Sequence, residues 1–363
     1  MTLRILASSS PGEVRVALVD AETLLDYGIW RPGAPDGVGD LHRGRVIARF
    51  AAMAGTFVAL DGSEGFLPDS EGGAGLREGD AVSVRVTRAA QGGKGPRLTA
   101  RLAADEVPPA RGAGALLELA RRNGTVPVRV DDGALAARLK PELGERLEVT
   151  AQAFDDGTEE QVLALSQSNV ELDNGARLHI HPTPALVAID VDTGSATARR
   201  QGKTAAHLAA NLAVLPVLAR QIRLRNLSGA ILVDFAGLPT RRRASLAPAL
   251  QAALARDPLP PRLLGFTTLG LAEIVRPRVH PPLHELLRGP HAEGLAALRR
   301  IAAEVGTPPH RLPQLRASPA IVAALHGDAE ALPALAQRAG RALILRADPN
   351  LADTAWRVEA SDG

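Results

Sequence analysis

Two apolar runs, "ALVAID" at 185–190 and "GAILVDF" at 229–235, constrain this 363-residue chain more than any other feature. Both are continuous and read as buried parallel strands. Between them Leu208, Leu212, Leu215, Ala219 and Ile222 step by four, three, four and three, the spacing of one helical face, so a helix of roughly 204–226 joins the strands. Pro216 falls inside that helix and predicts a kink. A strand–helix–strand unit crosses over right-handed, which makes the two strands parallel and neighbouring. Asp190 and Asp234 then emerge side by side at the C-terminal edge of the sheet, where α/β sites form. Asp192, two residues further on, faces the same way if its strand continues.

Three carboxylates gathered in an arginine-rich segment are costly unless a cation neutralises them. Oxygen donors of this kind suit Mg²⁺ or Mn²⁺, and such an ion orients a water and stabilises charge on an attacked phosphate. The same spacing also serves aspartates that merely cap the next helix or turn, and spacing alone does not choose. The surroundings favour the metal. From Arg199 to Arg243 there are nine basic residues (Arg199, Arg200, Lys203, Arg220, Arg223, Arg225, Arg241, Arg242, Arg243) and one acid, Asp234. A local balance of +8 in a chain of net charge +2 reads as a polyanion surface. Arginine's planar fork suits phosphate, although a genome rich in G and C would give the same bias over the chain's three lysines.

With no cysteine, disulfides, thiolate zinc sites and cysteine nucleophiles are excluded. Glycine-rich "GGAG" and "GAGAL" lack the Lys and Ser/Thr of a phosphate-binding loop, which removes a nucleotide-hydrolase reading. His179 and His181 alternate on "RLHIHP", a spacing that suits a metal or, more simply, the solvent face of a strand. The start of the chain lacks a basic segment followed by an apolar run, and no stretch of about 18 apolar residues is evident, so a cytoplasmic location without membrane contact is expected.

Aromatic residues make up only 2% of the chain, so alanine, leucine and valine must build its cores. Residues 3–7 and 13–19 flank the turn "SSSPGE" and predict a hairpin. "RPGAPDGVGD" at 31–40 reads as a loop, and five short strands between Gly44 and Ala103 predict a small barrel. Phe57 and Phe66 lie on two of those strands, and Lys94 sits in "QGGKGPRL". Exposed rings beside cations are how OB-folds stack bases and hold phosphates, while buried rings would simply fill the barrel. A linker at 106–115 leads to a helix at 116–122, a strand in "TVPVRV" and a helix capped by Asp131 and Asp132. The C-terminal stretch reads as helix, helix, then strands at "ALILRAD" and "AWRVEA".

Taken in order, "EVRVALVDAETLLDYGI", "RGRV", "GFLP", "VELDNGARLHIHPTPALVAIDVDTG", "NLAVLPVLARQIRLRNLSGAILVDF" and "GFTTLGLAEIVRPRVHPPL" resemble the ribonuclease E/G family over nearly the whole chain. The resemblance implies an α+β, α/β multidomain protein. Residues 1–37 and 104–175 would form a ribonuclease-H-like subdomain, interrupted by an S1-type OB-fold at 38–103. Residues 176–288 would form a deoxyribonuclease-I-like catalytic subdomain and 289–363 a small α/β domain. Carried over residue by residue, Asp190 and Asp234 match the catalytic aspartates that hold the metal, and Asp192 stands where an asparagine helps orient the phosphate or metal. Phe57, Phe66 and Lys94 match the RNA-contacting positions, with Arg199, Arg200, Arg241 and Arg242 the candidate phosphate contacts beside the aspartates.

What the resemblance implies functionally is an endoribonuclease dependent on Mg²⁺ or Mn²⁺, cleaving single-stranded RNA to leave a 5′-phosphate and a 3′-hydroxyl. The alternative is a non-catalytic RNA-binding protein that keeps the fold. A third reading is a ribosome- or degradosome-associated factor acting through its small domain. The chain departs from the family pattern in several places. About 20 residues around "ADEVPPARGAGA" stand where a sensor for 5′-monophosphate ends would lie. The zinc-linking cysteine pair is missing, so no zinc is expected and a monomer or weak homodimer is. Ala213 replaces a common glutamate, and Gly237 the second aspartate of the "DFID" element.

Overall fold

A computed structural model describes residues 3–112, 114–173, 175–193, 203–305 and 313–359, apart from the side chains at 203, 204 and 305. Arg199 and Arg200 lie outside the described residues, as does the side chain of Lys203. The chain begins with three antiparallel strands, β1 (Leu3–Ser10), β2 (Glu13–Asp20) and β3 (Thr23–Trp30). The expected hairpin is therefore extended by one strand. Two three-residue strands complete the sheet later in the chain.

That barrel interrupts the first sheet. It is closed by β4 (Leu41–Phe50), β5 (Gly55–Leu60), β6 (Ser63–Pro68), β7 (Ala81–Arg88) and β8 (Arg97–Thr99), in the order β4-β5-β6-β8-β7. Val58, Leu67, Val84, Val86 and Leu98 fill it. Five short strands around so small an aliphatic core are consistent with an OB-fold. After α1 (Gly114–Arg122), the chain returns to the first sheet through β9 (Val128–Val130), α2 (Gly133–Leu143) and β10 (Leu147–Val149). The strand order is β10-β9-β1-β2-β3, with β9 parallel to β1. Asp132 caps α2, its carboxylate accepting from the Leu135 amide at 2.7 Å, while Asp131 turns away and accepts from the Ser9 amide at 2.7 Å. Helix α3 (Asp156–Ala164) covers the opposite face, so the interior strand β2 is buried on both sides.

A second sheet has six strands: β11 (Asn169–Glu171), β12 (Arg177–Pro182), β13 (Val187–Asp192), β14 (Gly229–Phe235), β15 (Arg262–Phe266) and β16 (Ala272–Arg276), ordered β11-β12-β13-β14-β16-β15. The predicted helix is α4 (Lys203–Leu224), which continues through Pro216 on its exposed side and joins the parallel pair β13 and β14. Two short helices, α5 (Thr240–Arg243) and α6 (Ala247–Leu254), follow β14. Helices α4 and α6 cover one face, burying Ile189, Val191, Ile231, Val233 and Phe235. The apolar runs are therefore half-buried rather than enclosed: Asp190, Asp192 and Ala230 are exposed on the other face. Small and charged residues at alternate positions leave little apolar surface there to cover. Helix Ala205–Leu224 is long and apolar enough to cross a membrane by length and composition, contrary to the sequence expectation. Half of that stretch is buried in the protein, as befits a core crossover helix.

The C-terminal part comprises α7 (Leu283–Leu286), α8 (Pro290–Val305), β17 (Gln314–Ala317), α9 (Pro319–Gly327), α10 (Ala331–Ala339), β18 (Ile344–Ala347) and β19 (Trp356–Glu359). Its three-stranded sheet, ordered β18-β17-β19, adds the unanticipated β17 at its centre. This part docks on the turn between β1 and β2. Gly12, at φ +78, lets the turn approach so closely that a Cβ would fall 2.6 Å from that of Ala331.

Candidate active site and nucleic-acid face

The register of the six-stranded sheet aligns four polar residues in one row across four strands. Asn169 is opposite His179, His179 opposite Asp190, and Asp190 opposite Asp234. Neighbouring strands lie about 4.8 Å apart, so the two carboxylates are immediate neighbours on the open face. This is the adjacency expected of a right-handed crossover. Asp192 is on the same face two residues on, paired in register with Arg177. His179 joins the row as a surface residue: its Nδ1–H donates to Asn169 Oδ1 at 2.8 Å, which orients the ring beside Asp190. Sequence reading set His179 aside. Counting back from Asp190 through the "HPTPAL" turn would have placed it opposite.

Asp234 forms an ion pair with Arg243, whose guanidinium also donates to the carbonyls of Leu238 at 3.0 Å and Gly270 at 3.2 Å. Arg243 is thus fastened inward, its side chain 14% exposed against 50% for Asp234. The loop after β14 is pinned by Asn211, which donates to Ala236 O at 2.9 Å and His207 O at 2.8 Å. Gly237 sits on that loop at φ +68, where a Cβ would fall 2.3 Å from His207 Nδ1. A glycine therefore suits both the left-handed backbone and the tight approach to His207 at this position.

The basic segment does not form one surface. Arg223 donates to Leu25 O at 2.7 and 3.0 Å, tying α4 to β3. Arg225 is buried and donates to the carbonyls of Leu165 and Gln167 at 2.7 and 2.6 Å, and burial pushes its pKa down to about 10. Together with Arg243 these side chains satisfy internal acceptors, a use that a charge count along the chain cannot distinguish from phosphate binding. Arg241 and Arg242 remain exposed on α5, one short turn beyond Asp234.

On the barrel, Phe57 and Phe66 face outward, since the interior is built from Val58, Leu67 and their neighbours. Their rings lie 5.4 Å apart between centroids, and Phe50 stands edge-on to Phe57 at 5.3 Å. Three of the chain's six phenylalanines therefore form one surface group. Phe50, 47% exposed at the end of β4, escaped the sequence reading. Lys94 is exposed in a turn closed by mutual bonds with Gln91 at 3.1 Å. A cavity of about 630 Å³ lies elsewhere, between β3, α1 and residues 276–286, and includes neither aspartate.

The donor set at Asp190 and Asp234 is oxygen only, and two adjacent carboxylates fit a hard divalent cation that keeps water and phosphate as its remaining ligands. Among the described residues no group of three or more histidine, aspartate or glutamate side chains is gathered to hold an ion on its own.

Residues 133–279, from α2 to just past β16, match the ribonuclease E/G family. Through this region the chain is similar to that family. A protein named ribonuclease E from Nostoc sp. is 36% identical over 118 residues, covering 32% of this chain and 17% of the relative. A ribonuclease E from Synechocystis sp. is 34% identical over 140 residues, 38% of this chain and 21% of the relative. A ribonuclease G from Escherichia coli is 31% identical over 130 residues, 36% of this chain and 26% of the relative. The similar stretch thus spans about a quarter or less of each of these relatives. Both aspartates, His179 and Arg243 lie within the ribonuclease E/G match, whereas the barrel and the C-terminal part lie outside it.

Proposed function

We propose that this chain is a divalent-metal-dependent endoribonuclease that cleaves single-stranded RNA in the cytoplasm. The observation that carries the proposal is the in-register pairing of Asp190 with Asp234 on an open sheet face within the region similar to ribonucleases E and G. In this reading residues 1–37 and 104–175 form the ribonuclease-H-like subdomain and 38–103 the S1-type OB-fold. Residues 176–288 form the deoxyribonuclease-I-like catalytic subdomain and 289–363 the small domain of a monomer or weak dimer.

Asp190 and Asp234 would hold the Mg²⁺ or Mn²⁺, with Asp192 close by on the same face. Such an ion, when bound, lowers the pKa of a water and offsets charge on the phosphate. The chain's own residues do the positioning. Phe57, Phe66 and Lys94 hold the strand on the barrel, and Arg241 and Arg242 meet phosphates beside the aspartates. Arg243 fixes the carboxylate of Asp234 through its ion pair, and Asn169 orients His179 next to Asp190. In the hydrolysis, water adds to phosphorus, the bond from phosphorus to the 3′-oxygen breaks, and a proton from the water ends on that oxygen.

The test is cleavage of an A/U-rich single-stranded RNA with Mg²⁺, with excess chelator, and by Asp190→Asn and Asp234→Asn. Chelator should abolish turnover, and each substitution should lower it about 100-fold or more, the scale of losing one strong electrostatic contact to a transition state. Full-rate cleavage by Asp190→Asn would refute the assignment. RNA binding without any cleavage in wild type would favour the non-catalytic alternative.

A further inference from the structure

The barrel carries an outward row that the aromatic group only begins. In register, Phe57 is opposite Phe66, Phe66 opposite Arg97, and Arg97 opposite Arg88. The inward neighbours Val58, Leu67, Leu98 and Val86 build the barrel core, so the row lies on its outside, crossing β5, β6, β8 and β7 in turn. It changes halfway from rings to guanidinium groups. At its far end the backbone amide of Ala89 donates to Val279 O at 2.8 Å, bringing the segment after β16 against the barrel. Arg278 belongs to that segment, and its guanidinium rests on Gly229, where a Cβ would fall 2.3 Å from Nη2.

Arg88, Arg97 and Arg278 are close enough for each of the other two to disfavour the charge on Arg88, a smaller effect than its burial. None of the three forms an ion pair or side-chain hydrogen bond among those of the described residues, and Arg88 Nε is buried without a partner. Many arginines elsewhere meet carboxylates or carbonyls, as Arg276 with Asp257 at 2.8 Å and Arg85 with Glu106 illustrate. Like charges directly opposite each other on paired strands are destabilising. An uncompensated cluster at a seam is the electrostatic form of a site for an anion.

We propose that Arg97, Arg88 and Arg278 form a phosphodiester-binding site at the seam between the barrel and the six-stranded sheet, continuing the Phe50–Phe57–Phe66 group as one track for single-stranded RNA. The proposal rests on the RNA-binding reading above. Rings stack bases of any sequence, and guanidinium forks grip the backbone that those bases carry. The track therefore divides the two parts of the ligand between its two halves.

The experiment measures affinity for a 12-nucleotide A/U-rich RNA by anisotropy across a salt series, in the full chain carrying Asp190→Asn. Each of Arg88→Gln, Arg97→Gln and Arg278→Gln should weaken binding and reduce the slope of log affinity against log salt by about 0.7, the release expected per single-strand phosphate contact. Arg97→Lys should keep the slope. Phe57→Ala should weaken binding about 5- to 150-fold, the value of one lost base stack, with the slope unchanged. Normal slopes in all three Gln variants, with Phe57→Ala still weakened, would overturn the phosphate site and leave the RNA reading intact. Failure of the Asp190→Asn parent to bind RNA would overturn the RNA reading itself. Arg278→Gln, which rests on Gly229, carries the greatest folding risk, and Arg97→Gln on the open barrel wall decides the question without it.

Discussion

In the five-stranded sheet both faces are covered, and Glu13 and Arg15 of its interior strand β2 are locked in internal pairs. In the six-stranded sheet no described residues form a layer over one face, and charged residues line up across it. Glu13 is 1% exposed and lies between Arg31, at 2.9 Å, and Arg299 of α8. Arg15 reaches Glu159 of α3 at 2.5 Å and stacks over Phe154. Among the described residues no second layer shields Asp190 and Asp234. A carboxylate enclosed by two layers must be paired to be tolerated, and once paired it serves structure. A carboxylate on an open face is solvated and stays available to a ligand. The difference between the sheets is therefore one of cover, and it decides where chemistry can occur.

The strongest test of that contrast sets Glu13 against Asp190. Glu13→Ala leaves Arg31 and Arg299 without their shared acceptor and should destabilise the fold by about 3 kcal/mol, the cost of breaking a buried pair. It should also loosen α8 from the β1–β2 turn. Asp190→Asn should change stability by less than about 0.5 kcal/mol, as exposed substitutions do, while removing cleavage. Urea unfolding of both variants beside their RNA cleavage rates checks the pair. Equal stability losses would mean that the open face is held together by its carboxylates and is not free for a ligand.

How much of this was legible beforehand follows the same line. The β13–α4–β14 unit announces itself through long periodic runs, and its register brought Asp190 beside Asp234 as anticipated. Strand β9 falls within the expected "TVPVRV" strand, whereas the three-residue strands β10 and β11 are too short to show a period. Without β11 and the β12 register, His179 had no reason to be placed in the row. Arg243 was counted as surface charge because nothing in a linear count reveals the carbonyls of Leu238 and Gly270. Phe57 and Phe66 were left between core and surface. Only barrel closure, which fills the interior with Val58, Leu67 and Leu98, turned them outward.

A middle-sized effect is expected at Gly237, on the loop that links the bare face to its covering helix. Gly237→Ala meets two obstacles: a left-handed backbone at φ +68 and the His207 ring within 2.6 Å of the new Cβ. The backbone alone costs about 1–2 kcal/mol for a residue with a side chain. Thermal unfolding should show that loss plus a further one from the ring, and His207→Ala in the same chain should restore only the second part. If the single variant is as stable as wild type, the loop has another conformation open to it. The inward anchoring of Arg243 then says little about how Asp234 is held.

The smallest effect concerns the seam where the two sheets meet, and it depends on pH. His280, in the segment after β16, donates from Nδ1–H to Asp36 Oδ2 at 2.6 Å and stands 3.5 Å from Glu118 of α1 through Nε2. Burial works against its charge, but the hydrogen bond and charge of Asp36, with Glu118 behind it, outweigh burial and hold its pKa above the ordinary value. Glu118 is itself held above its usual value by burial, with His280 pulling it back. Because the imidazolium is favoured in the folded state, its contribution is fully present below the unfolded histidine pKa of about 6.5. It is lost as pH rises through the higher folded value. Stability measured by urea between pH 6 and 8 should therefore fall with rising pH, and His280→Gln, which cannot titrate, should flatten the curve in that window. Glu118→Gln should keep a downward slope but end it at lower pH with a smaller total fall, since one of the two carboxylates raising His280 is gone. A wild-type curve that rises across the window would show that the histidine is neutral in the folded protein. The join between the two sheets would then rest on its other contacts, such as the bonds of Arg223 to Leu25 O.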